Sequence, residues 1–530
     1  MKKNMSLARW SALSLAVGAA CSAHSQTELK EVVVTATRFE ESARSVPYSV
    51  SVLNAEEIRA SGASSVGEAI SRLLGIPASL DTSGGGNASL DLRGFGGTAD
   101  RNQVVVVDGR RLRLDDLSAT NLAVVPIETV DRIEVIRGSG TVQYGEGATG
   151  GVIVITTKAG KGVDRRNQAT LGARAGSDAL REAYASATLA AGEWSVDVAG
   201  KDSKSNGHRD NFASTNNNLQ ATVQWSNDWL RIGASSGRQM VQSGWPGGLT
   251  DAQYAADPRQ AKSMVDFGTS KTEHAGVFAQ ADVGSWELAA DVGTQTKTVR
   301  NFAWGSAEDS NIATVNGNVR ARHSAQIGSA NNAAVLGLDT AQWSNLVLAS
   351  GYYTPGTLSD AQSSAVYFTD DLVLAGGGTH LNVGVRSESV DKKRSGSLQR
   401  ASDHPLAWNL GVNQALSQAV RTYARIGNSY RLPTAEEYTF IVSGSPLQTQ
   451  TSRDMELGLR GTWGASLLEL RWYRHDLQNE LGYDPTANGP YGSGTGANVN
   501  FDPTRHQGVE LELRHELTAQ WVLRGNAVVR

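Results

Sequence analysis

Two glycine-rich runs and a row of valines are the first places where residue type and spacing could support chemistry. In RGFGGTAD (93–100) glycines follow an apolar stretch, as in a dinucleotide fingerprint, but the third glycine is missing from its required place. KAGKG (158–162) lacks both the spacing and the Ser or Thr of a phosphate loop. No His, Glu and Asp cluster has a zinc-like spacing, and no Ser, His and Asp set is recognisable from chain order. No catalytic residue, metal site or cofactor is expected, and the chain is not read as an enzyme. Gly138, Gly140, Gly145, Gly147, Gly150 and Gly151 fit tight turns and close backbone approach instead. KEVVVTATR, Lys30 to Arg38, offers main-chain chemistry. Its valines favour an extended strand that a partner's sheet edge could add to itself, with alternate side chains setting register. An ordinary first strand of the fold is the competing reading.

The compartment is written in the first residues. Lys2, Lys3 and Arg9 precede an apolar run from Trp10 to Cys21, and Ala23-His24-Ser25 gives a small-x-small site, so residues 1–25 read as a cleaved export signal. A lipoprotein site at Cys21 competes, with Gly18 where Leu is usual. With cleavage before Gln26, the single cysteine leaves with the signal and no disulfide remains. Nowhere do apolar residues run for the roughly 20 positions a membrane helix needs. The net charge of -4 over 530 residues points to no nucleic-acid partner.

From about residue 161 onward a two-residue period dominates. Trp194, Val196 and Val198 alternate with polar or small residues; so do Trp286, Leu288, Ala290 and Val292, and later Leu381, Val383 and Val385, Trp408, Leu410 and Val412, and Val509, Leu511 and Leu513. One such strand would suit a soluble sandwich. Their number, the Trp residues near strand ends and the polar linkers of alternating length predict a transmembrane β-barrel over 161–530. Residues 202–218 and 478–500 read as outer loops, and GNVRARHSAQIG as a tight connection.

Residues 46–160 have another pattern. Asn54 with Glu57 and Ser65 with Glu68 form capping boxes, and Val66, Ala69, Ile70, Leu73 and Leu74 make an apolar helix face closed by Gly75. Short buried strands are expected at YSVSVL, QVVVVDG and GGVIVITTK. An α+β domain of this size suits the plugged lumen of a barrel of about 22 strands.

Specific segments now identify a resemblance. IETVDRIEVIRGSGTVQYGEGATGGVIVITTK (127–158) resembles the plug signature of TonB-dependent outer-membrane receptors, and LDLRGFGG with VVVVDGRRL is similar to earlier plug strands of that family. SYRLPTAEEY (429–438), RDMELGLRG (453–461) and RHQGVELEL (505–513) resemble its barrel segments. The resemblance implies a receptor in the outer membrane of a Gram-negative bacterium, set among its lipid and lipopolysaccharide, inserted by the barrel-assembly machinery and expected to be a monomer. By the same resemblance, Glu31, Val32, Val33, Val34, Thr35 and Ala36 form the box captured by TonB, which works with ExbB and ExbD, within an N-terminal segment 26–45 too short for a signalling domain.

The family's arginine-carboxylate lock between plug and wall maps onto Arg93, Arg137, Glu456 and Glu510, with Arg137 and Glu456 taken as one pair and Glu512 as the substitute for Glu510. Buried charges need partners, which agrees. For a metal-chelate ligand the expected contacts are Ser83, Asn87, Phe95 and Arg101 at the plug apices, with His208 and His404 in outer loops. Haem would want an axial His there, but the haem subgroup's Asn-Pro-Asn-Leu is absent from IVSGSPLQTQ, so a ferric siderophore is expected, with cobalamin, haem or another chelate as alternatives. A passive adhesin, bacteriocin or phage docking barrel would not need the box. At roughly 22 to 26 residues per strand and loop, about 14 to 17 strands are expected, with later strands missing or, alternatively, a smaller closed barrel.

Overall fold

The computed structural model describes residues 33–35, 38–39, 41–42, 46–80, 87–112, 115–160, 165–351, 354–394, 400–442, 444–490, 492–518 and 520–530. The expected leader, Glu31, Val32, Ala36 and Ser83 lie outside the described residues.

The plug is built on a five-stranded sheet in the order Val50–Asn54, Val130–Arg137, Gly151–Thr157, Gln103–Val107, Arg110–Arg111, with one parallel pairing between Gln103–Val107 and Gly151–Thr157. Both faces of its central strands are covered, so the strands read as unbroken apolar runs. Helix Ala55–Ala60 starts at Asn54, whose side chain accepts from the Glu56 and Glu57 amides while Glu57 returns the bond. Helix Val66–Leu74 is capped by Ser65 and ends at Gly75 in the left-handed conformation, φ 64°. Glu68 does not complete the expected box. Its carboxylate reaches one residue further back, to the Ser64 amide at 2.6 Å and hydroxyl at 2.7 Å. Ile70, Leu53, Val105, Val135, Ile153 and Ile155 form the core between helices and sheet. Each such side chain contributes about 1.5–3 kcal/mol by leaving water.

Around the plug runs, among the described residues, one antiparallel sheet of 18 strands, from Gln168–Ala175 to Val522–Val529. Arg400–Asp403 and Leu406–Ala415 both pair with Thr379–Arg394 and act as one interrupted strand. Side chains alternate as expected: Val277, Val292, Leu336, Leu338, Val383 and Leu410 are exposed on the outside, whereas polar residues turn to the lumen. Trp194, Trp229, Trp286, Trp463 and Trp521 mark the end of the barrel that carries the short turns. At the last strand Asn526 Nδ2 donates to the Leu73 carbonyl at 3.3 Å, and Arg524 and Arg514 both meet Glu57, so the plug holds this margin.

Two expected loops are corrected. Only residues 206–213 of the 202–218 segment lie between strands; Ser203 and Ser205 continue Trp194–Ser205, and Ser214, Asn216, Asn217 and Asn218 belong to Ser214–Ser226. GNVRARHSAQIG, all but its last glycine, lies inside the 22-residue strand Ser306–Ile327 rather than between strands. Strands that extend beyond the apolar band are polar on both faces, which removes the alternation by which a strand is recognised. The 478–500 segment contains its own small hairpin, Leu481–Asp484 with Ala497–Asn500.

Candidate functional site

Arg93 is placed by a turn built from its neighbours. Asp91 Oδ1 accepts from the Gly94 amide at 2.9 Å and the Phe95 amide at 2.8 Å, and this loop holds Arg93 at φ 68° with its side chain aimed at the wall. The positive φ is sterically unfavourable for a residue with a Cβ and is tolerated because the acid organises the turn. Arg93 Nη2 lies 2.5 Å from Glu456 Oε2, Nε lies 3.8 Å from Glu510, and the guanidinium sits 4.2 Å over the Tyr473 ring. Burial works against this cation, but Glu456 and Glu510 outweigh it and hold the guanidinium above its usual range.

Arg137 ends a plug strand and is held differently. It does not pair with Glu456; it reaches Glu510 and Glu512 at 3.9 Å each, and donates to the Leu74 carbonyl at 3.4 Å. Burial, and then the neighbouring Arg471 cation, lower its pKa. Arg471 takes the shorter contacts, 2.5 Å to Glu510 and 3.4 Å to Glu512, and donates to Ser49 Oγ in the plug at 2.7 Å. Glu469 joins Arg471 at 3.6 Å and Arg460 at 3.3 Å, while Ser51 donates to Glu512 at 2.6 Å. Four arginines and four glutamates, 93, 137, 460, 471 and 456, 469, 510, 512, are thus buried together across the plug-wall boundary. Such a cluster is tolerated because every charge has counter-charges, and removing one member costs about 3–5 kcal/mol.

Sequence reasoning missed Arg460, Arg471 and Glu469 and treated Glu512 as a substitute, although both Glu510 and Glu512 take part. The available signal was parity: Glu469, Arg471, Tyr473 and His475 fall at i, i+2 on the lumen face, as do Glu510 and Glu512.

A second plug-wall contact lies along the N-terminal segment. Val33 pairs with Ser42 and Val34 with Glu41, and Val34 is completely buried. Thr35 is bonded to Glu134, and Arg38 reaches Asp339 on the wall at 2.7 Å with its guanidinium 5.0 Å from the Tyr367 ring.

The expected ligand contacts are dispersed. Asn87 donates to the Thr120 carbonyl at 3.3 Å and accepts from the Leu122 amide at 2.9 Å, inside the plug. Phe95 is buried against Leu477 and stacks on His506 at 4.5 Å. Arg101 donates to the Leu117 carbonyl at 3.1 Å and lies 3.8 Å from Glu437. His208 and His404 are exposed, and the eight long strands from Ser214–Ser226 to Thr379–Arg394 lie between their loops, so the structure does not bring them together as a pair.

Comparison with known proteins follows the same division of the chain. The family description "TonB-dependent Receptor Plug Domain" matches residues 42–152, and "TonB dependent receptor-like, beta-barrel" matches residues 157–529. Among curated relatives, the vitamin B12 transporter BtuB of Vibrio vulnificus strain YJ016 is 25% identical over 519 residues, covering 92% of this chain and 77% of the relative. The vitamin B12 transporter BtuB of Photobacterium profundum is 24% identical over 494 residues, covering 91% and 75%. Among solved structures, the unliganded ferric citrate transporter FecA superposes with a TM-score of 0.75 at 18% identity, over 92% of this chain and 79% of that one. BauA, the ferric preacinetobactin receptor of Acinetobacter baumannii, gives 0.74 at 14% identity, over 94% and 81%. At these identities the structures speak for the fold.

Proposed function

The chain belongs to the TonB-dependent receptors of the Gram-negative outer membrane, and from that premise we propose that it is an energy-coupled importer of a scarce metal chelate. The observation that carries this reading is the state of its N-terminal strand. Val33 and Val34 are extended and, among the described residues, form a ladder with Ser42 and Glu41, so a partner strand can replace a small ladder rather than dismantle a sheet. Captured there, the segment pulls on Thr35 and Arg38, which are tied to plug and wall respectively. Arg93, Arg137, Glu456 and Glu510, with the residues that join them, keep the plug seated until then.

For the substrate, the curated sequence relatives reported above, at 24–25% identity, are vitamin B12 transporters, which favours a corrinoid over the ferric siderophore expected from sequence motifs; the ferric-chelate receptors match at the level of the fold. The test is a strain lacking this gene, grown with cyanocobalamin, a panel of ferric siderophores or haem as limiting source, with and without functional TonB. Loss of growth on cyanocobalamin in both backgrounds supports the corrinoid reading, and loss on one siderophore alone replaces it. Undiminished growth on every chelate overturns import and leaves a passive docking barrel.

A further inference from the structure

His475 stands beside the plug-wall cluster, buried on the lumen face of Ser466–Gln478, and its two ring nitrogens meet different partners. Nδ1 lies 2.7 Å from Asp454 Oδ1, an oxygen that also accepts from Ser452 Oγ at 2.6 Å. Nε2 lies 3.3 Å from Arg93 Nη1.

These partners select one tautomer. A guanidinium has donors and no acceptor, so the nitrogen facing Arg93 must present its lone pair. The single proton of a neutral imidazole then sits on Nδ1, where the Asp454 carboxylate accepts it. His475 is thus a neutral acceptor set against a cation, in an orientation that Asp454 holds.

Arg93 has few other acceptors. Its Nη2 donates to Glu456, and its Nε, 3.8 Å from Glu510, is buried without a hydrogen-bond partner among the described residues. The bond from Nη1 to His475 therefore keeps the guanidinium from turning about its contact with Glu456. Tyr473 covers one face of the guanidinium and lies 5.6 Å from the His475 ring. The other titratable or charged neighbours are engaged elsewhere. His506, directly opposite His475 on the next strand, lies 3.2 Å from Glu480 and stacks on Phe95. Arg425, on the strand beside that of Asp454, donates to the Ser139 carbonyl of the plug.

We infer that His475 is a positioning residue of the lock, and that Arg93 and a proton compete for its Nε2 lone pair. With the lone pair free, the ring holds the guanidinium in the plane that meets Glu456. A proton taken from water onto Nε2 removes the acceptor and sets a second cation against Arg93, so the plug loosens. The proton on Nδ1 stays with Asp454, and no covalent bond between heavy atoms changes. Seating through this contact is tight at high pH and weakens as pH falls.

The inference rests on the cluster acting as a lock, not on import of any chelate, and its test separates the two. The full chain is reconstituted in liposomes loaded with sulforhodamine B, and folding of each variant is checked by heat-modifiable migration. Efflux is compared at about pH 8 and about pH 5, between which an unperturbed imidazole changes charge. At the higher pH Arg93→Ala raises efflux about tenfold or more, because Glu456 is left unpaired. No rise there overturns the lock and this inference with it. The ratio of efflux at the lower pH to that at the higher is several-fold larger in the unsubstituted protein than in His475→Gln, whose amide can accept from Arg93 and donate to Asp454 but does not titrate. His475→Leu, which offers no acceptor, raises efflux at both pH values, and His506→Gln keeps the ratio of the unsubstituted protein. Equal ratios in the unsubstituted protein and His475→Gln, loss of the response in His506→Gln, or unchanged efflux in His475→Leu at the higher pH overturns the role of His475 and leaves lock and import standing.

Discussion

Thr35 gives both its backbone N–H, at 2.7 Å, and its hydroxyl, at 2.9 Å, to the carboxylate of Glu134, so one buried plug residue holds the end of the N-terminal strand. Tyr144 completes the hold by donating to the Thr35 carbonyl at 3.1 Å. Hydrogen bonds to a charged group contribute about 1.5–3 kcal/mol each. Glu134→Ala is therefore expected to shift docking toward the released strand by about tenfold or more. A spin label at Ser42→Cys reads this as a gain in mobility, and an unchanged spectrum would mean that Glu134 is not what holds the segment.

The lock should be uneven. Arg93 meets Glu456 at 2.5 Å, whereas the nearest carboxylates to Arg137 stand at 3.9 Å and are shared with Arg471. Arg93→Ala is expected to destabilise plug seating by about 3–5 kcal/mol, and Arg137→Ala by less. Sensitivity to large antibiotics measures both. In a double-mutant cycle Arg93 and Glu456 should couple strongly, and Arg137 and Glu456 should be near additive.

At the outer end, Glu436 accepts from the Leu117 amide at 2.8 Å and from Asn345. Burial, and then the charge of Asp116, push its pKa up to about 7. A carboxyl raised above its unfolded value contributes stability that is complete below about pH 4 and is lost as pH rises through about 7. The contact between the plug and this outer turn should weaken from pH 6 to pH 8. Hydrogen exchange at Leu117, corrected for its intrinsic rate, should show falling protection over that range, and Glu436→Gln should flatten the dependence.

Much of this arrangement was legible along the chain. The alternation of Trp286, Leu288, Ala290 and Val292 gives a strand and its outward face, and Ser65 and Gly75 bracket a helix that the structure contains. Arg93, Arg137, Glu456 and Glu510 are singled out by the resemblance to the family's lock, and the need of a buried charge for a partner agrees with it. Their company is not singled out in this way. Arg471 stands opposite Glu510, and Glu469 opposite Glu512, through the register of Ser466–Gln478 with Thr504–Glu516. Sequence gives parity within each strand but not the offset between them. Arg38 and Asp339 meet across 301 positions, a distance at which no local pattern operates. Residues 202–218 resembled a loop because strands beyond the apolar band lose the contrast between their faces.

The most direct test of the account addresses the strand that it makes the handle for import. Val33 lies in the short ladder opposite Ser42, and proline there removes a main-chain donor that a captured strand must supply. The Val33→Pro protein is expected to fold, as judged by heat-modifiable migration, and to bind the chelate identified by the growth panel at the cell surface as the unsubstituted protein does. Its uptake of the labelled chelate should fall to the level of a strain without TonB. Uptake at the unsubstituted rate would contradict the account.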